Sequence, residues 1–534
     1  MASGVIVQHQ HTRDFFSSVS VISDRVTTPN SNFHFNLNLN LNHNHNQNSN
    51  HNYYNNINED NPLLNLLTNS LVSHQIIPYL PISSLLNLAA TSPSFRDLLL
   101  RRTPGVFRHL DLAGVKTAQF ELDGAIDHGG EIWRNVQVDE NLTEDDFYSG
   151  PLRGIFQSIR RRDILHHVQT LVLDGLSVTA EFCNDILVDP TMRVRVLSIR
   201  DVKNLNERKL MQSLRYACRS SRPDNTPRLK GLYVFGARDA PTLTSSLPAG
   251  QPTASRGGAN ISIGWNHKSQ NALKESIGSE GDDWYHKKGR VIGKHIADGW
   301  AETLLDCREV IRFDSVLCTG PRHQNSAAFG KIPARPGGTA PSESPWGIAT
   351  FALGGCASCG SAPEGFTVYG DSPAEELPLL APVPLHSSTI KAATCPKPTS
   401  GSETGKETHK FVPRCLECIR ERYCFSCDQW WCESCYQVPT RQELNAQHVH
   451  AVNQADSIAD HELTAPEPSI IVKKPKISRS CWECEHNCLD CIANTQKRCN
   501  ACGGGYCIIH YEGSTLTLCD WCSRRGGRRS REMY

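Results

Sequence analysis

The chain has 534 residues, enough for two to four domains, but only 39% are hydrophobic and 7% aromatic, so part of it is predicted to be disordered. Its 55 basic and 55 acidic residues cancel, which argues against a global attraction to nucleic acid or to an anionic membrane. The amino terminus lacks the pattern of a secretory signal, and no stretch approaches the apolar length of a membrane span. We therefore expect a protein of the nucleus or cytoplasm, where the 22 cysteines favour metal sites over disulfides.

Residues 1–60 are predicted to be disordered. The part from 31 to 60 is rich in asparagine and histidine and has no apolar face wide enough to offset the entropy of ordering. Ordered structure is expected to begin at Asn61.

Three short amphipathic helices are predicted between residues 61 and 112. Their apolar residues recur at helical spacing in three blocks, residues 71–80, 85–89 and 95–99. Pro81 separates the first two blocks. Ser83 and Ser84 are placed to cap the second helix. Ser92 or Ser94 could cap the third.

A sequence motif runs through these helices. Its parts are Ile76 to Tyr79-Leu80-Pro81, Leu85 to Ala89, Ser92 with Phe95-Arg96 and Leu98, Phe107, and Leu110-Asp111-Leu112. Together they resemble the F-box, although the usual Leu-Pro opening is missing and phenylalanine stands where tryptophan is common. The resemblance implies docking on a Skp-type adaptor, with these residues at or directly under the interface: Leu80, Pro81, Leu85, Leu86 and Phe95. A generic three-helix bundle is the alternative.

A short leucine-centred motif recurs over residues 107–237, and its apolar residues alternate as in a β-strand. Its central leucines are Leu110, Leu171, Leu197 and Leu232. The last two intervals fit one strand and one return helix per unit, and residues 209–221 are a plausible return helix. The pattern looks like a degenerate leucine-rich repeat that would stack as a solenoid. A conventional α/β sheet is the alternative.

The repeat is expected to resume after an insertion. Residues 238–290 are predicted to be a linker, and residues 291–371 to continue the repeat, with a helix and then a strand over 300–323. Cys307 and Cys318 lack nearby partners and are expected to be buried thiols. A second linker is predicted over 372–408.

Paired metal ligands dominate the rest of the chain. Eight Cys-x-x-Cys pairs and one Cys-x-x-His pair occur, and eight of these nine lie between Cys415 and Cys522. Each pair can supply half of a tetrahedral zinc shell. Shells of four cysteines, or of three cysteines and one histidine, are closed, so we expect structural zinc. Iron or an iron–sulfur cluster is the alternative.

The first cluster, within residues 409–452, has three Cys-x-x-Cys pairs, Trp430 and Trp431 before the third pair, and His448 and His450 downstream. This pattern is similar to cross-braced modules of the ZZ type. Only four residues separate Cys427 from Cys432, so adjacent pairs should bind different ions. Cross-bracing then predicts one ion shared by Cys415, Cys418, Cys432 and Cys435. The remaining pair, Cys424 and Cys427, would take its partners from elsewhere. The candidates are His448 with His450, or the upstream knuckle formed by Cys356 and Cys359.

The second cluster, residues 478–523, resembles a cross-braced RING-like module. The predicted shells are Cys488, Cys491, Cys507 and His510 for one ion, and Cys499, Cys502, Cys519 and Cys522 for the other. A surplus pair, Cys481 and Cys484, could replace Cys488 and Cys491 or complete a third site with Cys356 and Cys359. A basic tail, residues 524–534, follows.

The predicted architecture is therefore multidomain α+β or α/β. Its order of modules resembles fungal F-box proteins, some of which carry names linked to ubiquitin fusion degradation. The resemblance implies a non-catalytic substrate receptor of a cullin-type ubiquitin ligase, which holds a protein substrate through its repeats and zinc modules. One alternative is a stand-alone RING-like ligase with an exposed apolar patch at Ile508, Ile509 and Trp521. Another is a chromatin or RNA adaptor, which the neutral charge disfavours.

Overall fold

The structure is a computed structural model that describes eight stretches of the chain. They are residues 61–119, 144–238, 292–331, 345–380, 389–396, 409–439, 475–511 and 513–525. Residues 1–60, most of the predicted linker 238–290, His448, His450 and the end of the basic tail lie outside them. The described fold is mixed α/β, with twelve helices and four small sheets. No described helix combines the length and the apolarity needed to cross a membrane.

The elements are numbered here in chain order. The helices are α1 Pro62–Thr68, α2 Ser70–Ile76, α3 Ile82–Thr91, α4 Pro93–Asp97, α5 Glu144–Arg161, α6 Ala180–Val188, α7 Glu207–Cys218, α8 Trp300–Cys307, α9 Ile390–Ala393, α10 Leu416–Ile419, α11 Leu489–Thr495 and α12 Asp520–Arg525. The strands are β1 His109–Asp111, β2 Thr170–Val172, β3 Val196–Ser198, β4 Gly231–Tyr233, β5 Arg312–Phe313, β6 Phe351–Leu353, β7 Thr367–Val368, β8 Lys410–Arg414, β9 Ile477–Arg479, β10 His486–Cys488, β11 Gln496–Arg498 and β12 Gly505–Cys507.

The three predicted amino-terminal helices are present as α2, α3 and α4, and α1 precedes them. The Ser92 hydroxyl accepts the Phe95 N–H at 3.2 Å, so Ser92 caps α4 as expected. The expected cap of α3 is wrong, because Pro81 stands at its N-cap and makes no side-chain bond there. The bundle buries the following apolar residues in one cluster: Ile77, Leu85, Ala89, Leu99, Val106 and Phe107.

A parallel sheet of five strands follows, in the order β1-β2-β3-β4-β5. The four predicted central leucines align across it, Leu110 with Leu171, Leu171 with Leu197 and Leu197 with Leu232. Phe313 of β5 continues the same row. Helices α6, α7 and α8 lie in the chain between successive strands from β2 to β5. The helix-then-strand prediction for residues 300–323 is met by α8 and β5.

Buried polar side chains tie the carboxyl ends of these strands together. The Arg200 guanidinium donates to Asp174 at 2.7 Å, and both side chains are almost fully buried. The Asp314 carboxylate accepts the backbone N–H groups of Val234 and Gly236. These bonds satisfy charges that would otherwise be costly to bury, so the strand ends are held in a fixed order.

Part of the predicted linker 372–408 is ordered instead. Residues 377–380 and helix α9 pack against the sheet, where Leu379 and Ala393 join the buried cluster of Val172, Val196 and Tyr233. The Pro- and Ser-rich composition of this stretch concealed the apolar residues that it contributes.

The remaining strands form three small antiparallel sheets. One has the order β6-β8-β7, and the pairs β9-β10 and β11-β12 form the others. They hold the segments that carry the cysteine pairs. Cys307 is buried as predicted, whereas Cys318 takes part in a ligand cluster.

Candidate metal centres

Five groups of four side chains could each hold a metal ion in the described residues, and the ligand atoms within each group lie within 4.8 Å of one another. Site I comprises Cys318, His323, Cys415 and Cys418; site II comprises Cys356, Cys359, Cys432 and Cys435; site III comprises Cys424, Cys427, Cys488 and Cys491; site IV comprises Cys481, Cys484, Cys507 and His510; site V comprises Cys499, Cys502, Cys519 and Cys522.

The spacing of the sulfur atoms fits tetrahedral zinc. Zn–S bonds of about 2.3 Å place two sulfurs of a tetrahedron about 3.8 Å apart. One sulfur–sulfur distance from each of sites I to V measures 3.8, 3.7, 3.8, 3.5 and 3.8 Å in that order. A disulfide would bring two sulfurs to about 2.05 Å, and all of these cysteines are free. The donor sets are therefore suited to metal and consistent with zinc.

Local backbone geometry aims both sulfurs of a pair at one point. In three pairs the residue after the second cysteine has positive φ, namely Gly360, Asp428 and Gly503. Each of these residues donates its N–H to the carbonyl of the first cysteine of its pair. The left-handed residue closes a tight turn, which explains why a Cys-x-x-Cys pair acts as one local unit.

Site I joins the region after β5 to the residues at the end of β8. The His323 Nε2 atom lies 3.3 Å from the Cys415 sulfur and 3.4 Å from the Cys418 sulfur. Backbone N–H groups of Gly320 and Cys415 donate to the Cys318 sulfur. A Cβ at Gly320 would lie 2.6 Å from the Cys418 sulfur, so glycine is needed there.

The predicted sharing of one ion by Cys415, Cys418, Cys432 and Cys435 is wrong. The first of these pairs joins Cys318 and His323, and the second joins Cys356 and Cys359. Cys318 was expected to be only a buried thiol, and His323 was not singled out. The five-residue interval from Cys318 to His323 is a weak sequence signal for a metal site. The feature that points to it is a cysteine outside any Cys-x-x-Cys pair and close to a histidine.

Sites I and II share a hydrophobic core. The core includes Phe351, Val412, Tyr423 and Trp430 together with cysteines of both sites. The fully buried Arg414 pairs with Glu364 and lies 3.4 Å from Glu433. Removing one partner of such a buried ion pair typically costs about 3–5 kcal/mol, so this network fixes the two sites relative to each other.

Site III answers the question left open for Cys424 and Cys427. Their partners are Cys488 and Cys491, whereas Cys356 and Cys359 belong to site II. The alternative partners His448 and His450 lie outside the described residues. The Cys427 and Cys488 sulfurs are 3.8 Å apart although 61 residues separate them in the chain. Site III thus connects the first cysteine cluster with the second.

Sites IV and V are cross-braced. The partners of Cys507 and His510 are Cys481 and Cys484. The predicted shell with Cys488 and Cys491 is therefore wrong, and the alternative in which the surplus pair replaces them is confirmed. The grouping predicted for site V is the one that the structure brings together. The His510 Nδ1 atom lies 3.1 Å from the Cys484 sulfur.

Backbone donors favour the thiolate form of one cysteine in site II and one in site V. Burial alone would raise the pKa of Cys356, but N–H groups including that of Cys432 outweigh it and bring that pKa to about 7. Donation from the backbone of Cys519 lowers the pKa of Cys499 to about 6. The thiolate is the form that binds metal.

The candidate adaptor residues differ in their exposure. Leu85 and Phe95 are buried in the bundle, whereas Pro81 is exposed. Leu80 and Leu86 are half-buried. Near the carboxyl terminus, Ile508 and Ile509 are also half-buried, and Trp521 is 63% exposed.

Comparison with known proteins assigns neither a family nor a function to the chain. The chain matches no protein-family model, no curated protein and no solved structure. Function must therefore be argued from the residues and the geometry.

Proposed function

We propose that this protein is a non-catalytic substrate receptor of a cullin-type ubiquitin ligase, stabilised by five zinc ions. One observation carries the proposal: a small helical bundle with an exposed apolar corner stands directly before a parallel sheet of aligned leucines. The corner comprises Tyr79 and Pro81, which are exposed, and the half-buried Leu86 in the first half of α3. In this proposal the corner docks on a Skp-type adaptor, and the sheet region and zinc modules hold a protein substrate.

The exposure of this corner supports a docking role. Tyr79 is 62% exposed, and Leu71 on the preceding helix is 77% exposed. Burying a large apolar side chain stabilises a complex by about 1.5–3 kcal/mol. Leu85 and Phe95 are buried in the two apolar clusters that hold these helices together.

The closed metal shells support a structural role for zinc. Each site offers four protein ligands, which fill a tetrahedron and leave no position for a catalytic water. The ions would then maintain the shape of a binding surface.

Co-purification with a Skp-type adaptor tests the proposal. We expect the Tyr79→Asp/Leu86→Asp variant to lose at least 10-fold in adaptor recovery relative to the unmodified chain. Tyr216→Asp is the matched control, because Tyr216 is 63% exposed on α7, which packs on α6 and α8. Equal recovery of the adaptor with both variants would refute the docking role.

A second candidate function is supported by the cross-brace of sites IV and V. That module exposes two tryptophans inside its Cys-x-x-Cys turns, Trp482 at 78% and Trp521 at 63%. Such a surface could recruit a ubiquitin-conjugating enzyme, as RING-like modules do. This function requires the full chain to form ubiquitin conjugates without a cullin, and Trp521→Ala to reduce them. If no conjugates form, the ligase function is refuted and only the receptor function remains.

A further inference from the structure

One face of the parallel sheet is covered by the chain itself. Leu110, Leu171, Leu197 and Leu232 point to one face, so the residues that alternate with them point to the other. On that second face Val172, Val196 and Tyr233 form a strip across β2, β3 and β4. We call residues 377–380 and 389–396 the covering segment, because Leu379, Ile390 and Ala393 pack on this strip.

The covering segment fits the strip closely at one point. A Cβ built on Gly231 would lie 3.1 Å from the terminal methyl carbons of both Ile390 and Leu379. Gly231 therefore forms the floor of a shallow depression that the two side chains fill. Leu379 has no exposed surface, and Ala393 has only 1%.

The sheet does not need the covering segment for its own hydrogen bonding. In the described residues the five strands pair with one another in chain order, and the covering segment supplies no strand. Its Leu379 N–H donates to the Phe313 carbonyl of the edge strand at 2.8 Å. Its Leu380 N–H donates to the Ala393 carbonyl at 2.7 Å, within the segment itself. Its departure would expose apolar side chains but would leave the ladder of the sheet intact.

An ion pair lies two residues before the covering segment. Arg312 of β5 pairs with Glu375, four residues before Leu379. Together, the strip and the neighbouring Arg312 of β5 match an acidic residue, an apolar pair after it, and a short helix with apolar residues at i and i+3. Those three features define a class of peptide.

We propose that the strip on β2, β3 and β4 is a peptide-binding surface that the covering segment occupies in cis. A substrate segment with the same chemistry, acidic and then apolar with a short helix, would bind by displacing it. The inference rests on the proposed function in assigning substrate binding to the sheet region. It would make the covering segment an autoinhibitory contact.

Hydrogen exchange on the unmodified full chain gives a first test. The Leu379 and Leu380 amides should exchange at least 10-fold faster than the Leu173 and Ile199 amides, because the segment can open while the sheet stays folded. The Leu173 and Ile199 N–H groups bond to carbonyls of neighbouring strands. Exchange equally slow at all four amides would identify the segment as permanent core and overturn the proposal.

Binding of a labelled synthetic peptide with the sequence of residues 373–396 gives a second test. The unmodified chain should bind it weakly, because the tethered segment competes at an effective concentration of order millimolar. The Leu379→Asp/Ile390→Asp variant should bind it at least 10-fold more tightly. Lys391→Asp, at an exposed position of α9, should behave like the unmodified chain.

A third variant separates release of the segment from blockage of the surface. Gly231→Val should expel the segment and also fill the depression, so faster exchange should accompany weak peptide binding. Tight peptide binding by Gly231→Val would place the peptide elsewhere and overturn the proposal. The proposal would also be overturned if the Leu379→Asp/Ile390→Asp variant lost its metal or its helical circular dichroism signal. The same holds if that variant bound the peptide no better than the unmodified chain. None of these measurements involves the adaptor, so they can succeed or fail independently of the docking proposal.

Discussion

At the scale of single residues, the ligands of site I show how a metal site can depend on an isolated side chain. Cys318 belongs to no Cys-x-x-Cys pair, yet its sulfur lies 3.8 Å from that of Cys418. The two residues are 100 positions apart in the chain. A site assembled from such distant segments couples metal binding to the fold of the whole region.

We therefore expect Cys318→Ser to remove one zinc ion, so that elemental analysis finds four per chain instead of five. The free energy of unfolding should fall by at least about 3 kcal/mol, since the lost ion held two segments together. Cys183→Ser is the control, because Cys183 is buried outside all five sites. Retention of five ions by Cys318→Ser would contradict the assignment of site I.

His109 gives the sheet a predicted sensitivity to acid. Burial lowers its pKa from an ordinary value of 6.5 to about 4. The unfolded chain therefore binds the proton more tightly, and stability must fall as the pH drops from about 6.5 towards 4. Between pH 7.5 and 5.5 the unmodified chain should lose about 1 kcal/mol more than His109→Gln. Urea unfolding at the two pH values measures this, and identical losses would refute it.

At the scale of elements, local patterns predicted α2, α3 and α4 of the amino-terminal bundle well and their caps less well, and they missed α1 and α5. Periodic leucines identified α2, α3 and α4, because an amphipathic helix must turn one face towards its core. Ser92 caps α4, but Ser83 and Ser84 lie inside α3 and do not cap it, because the helix already begins after Pro81. Which residue caps a helix depends on the backbone conformation where the helix begins, and the spacing of apolar residues does not reveal that conformation.

A matched pair of substitutions tests the cap assignment. Ser92→Ala should lower the free energy of unfolding by about 1 kcal/mol, because the Phe95 N–H loses its acceptor. Ser84→Ala should change it by less than about 0.5 kcal/mol, since Ser84 lies exposed within α3. Thermal or urea unfolding of both variants measures the difference. Equal losses would show that the cap contributes nothing specific.

At the scale of the whole molecule, the five sites form an interleaved series. Each of sites I to IV has its second pair of ligands inside the sequence span of the next site, as with Cys432 and Cys435 of site II between the two pairs of site III. Site I begins at Cys318, close after β5 of the parallel sheet, and site V ends at Cys522 near the last described residue. The zinc region is thus one continuous structure attached to the sheet, because site III joins the first cysteine cluster to the second.

A truncation tests this interleaving. A fragment of residues 409–525 retains all ligands of sites III, IV and V but only half of those of sites I and II. It should bind three zinc ions, whereas the full chain should bind five. Elemental analysis after gel filtration distinguishes the two. Four or five ions in the fragment would mean that the cysteines around residues 415 to 435 form shells among themselves.

The sequence by itself determined the ligand pairs, the short helices and the aligned leucines. Each of these depends on residues within one turn or one strand: a Cys-x-x-Cys turn closes over three or four residues, and helical or strand periodicity is equally local. The four-residue gap between Cys427 and Cys432 also correctly excluded a shared ion for their pairs.

Only the tertiary structure decided which pairs meet, that Cys318 and His323 complete site I, and that Leu379 covers the sheet. A zinc ion accepts any pair that offers two thiolates at the right distance, so local spacing leaves many combinations open. The choice among them depends on where the buried ion pairs of Arg414, the core around Trp430 and the edge strand β5 bring distant segments together.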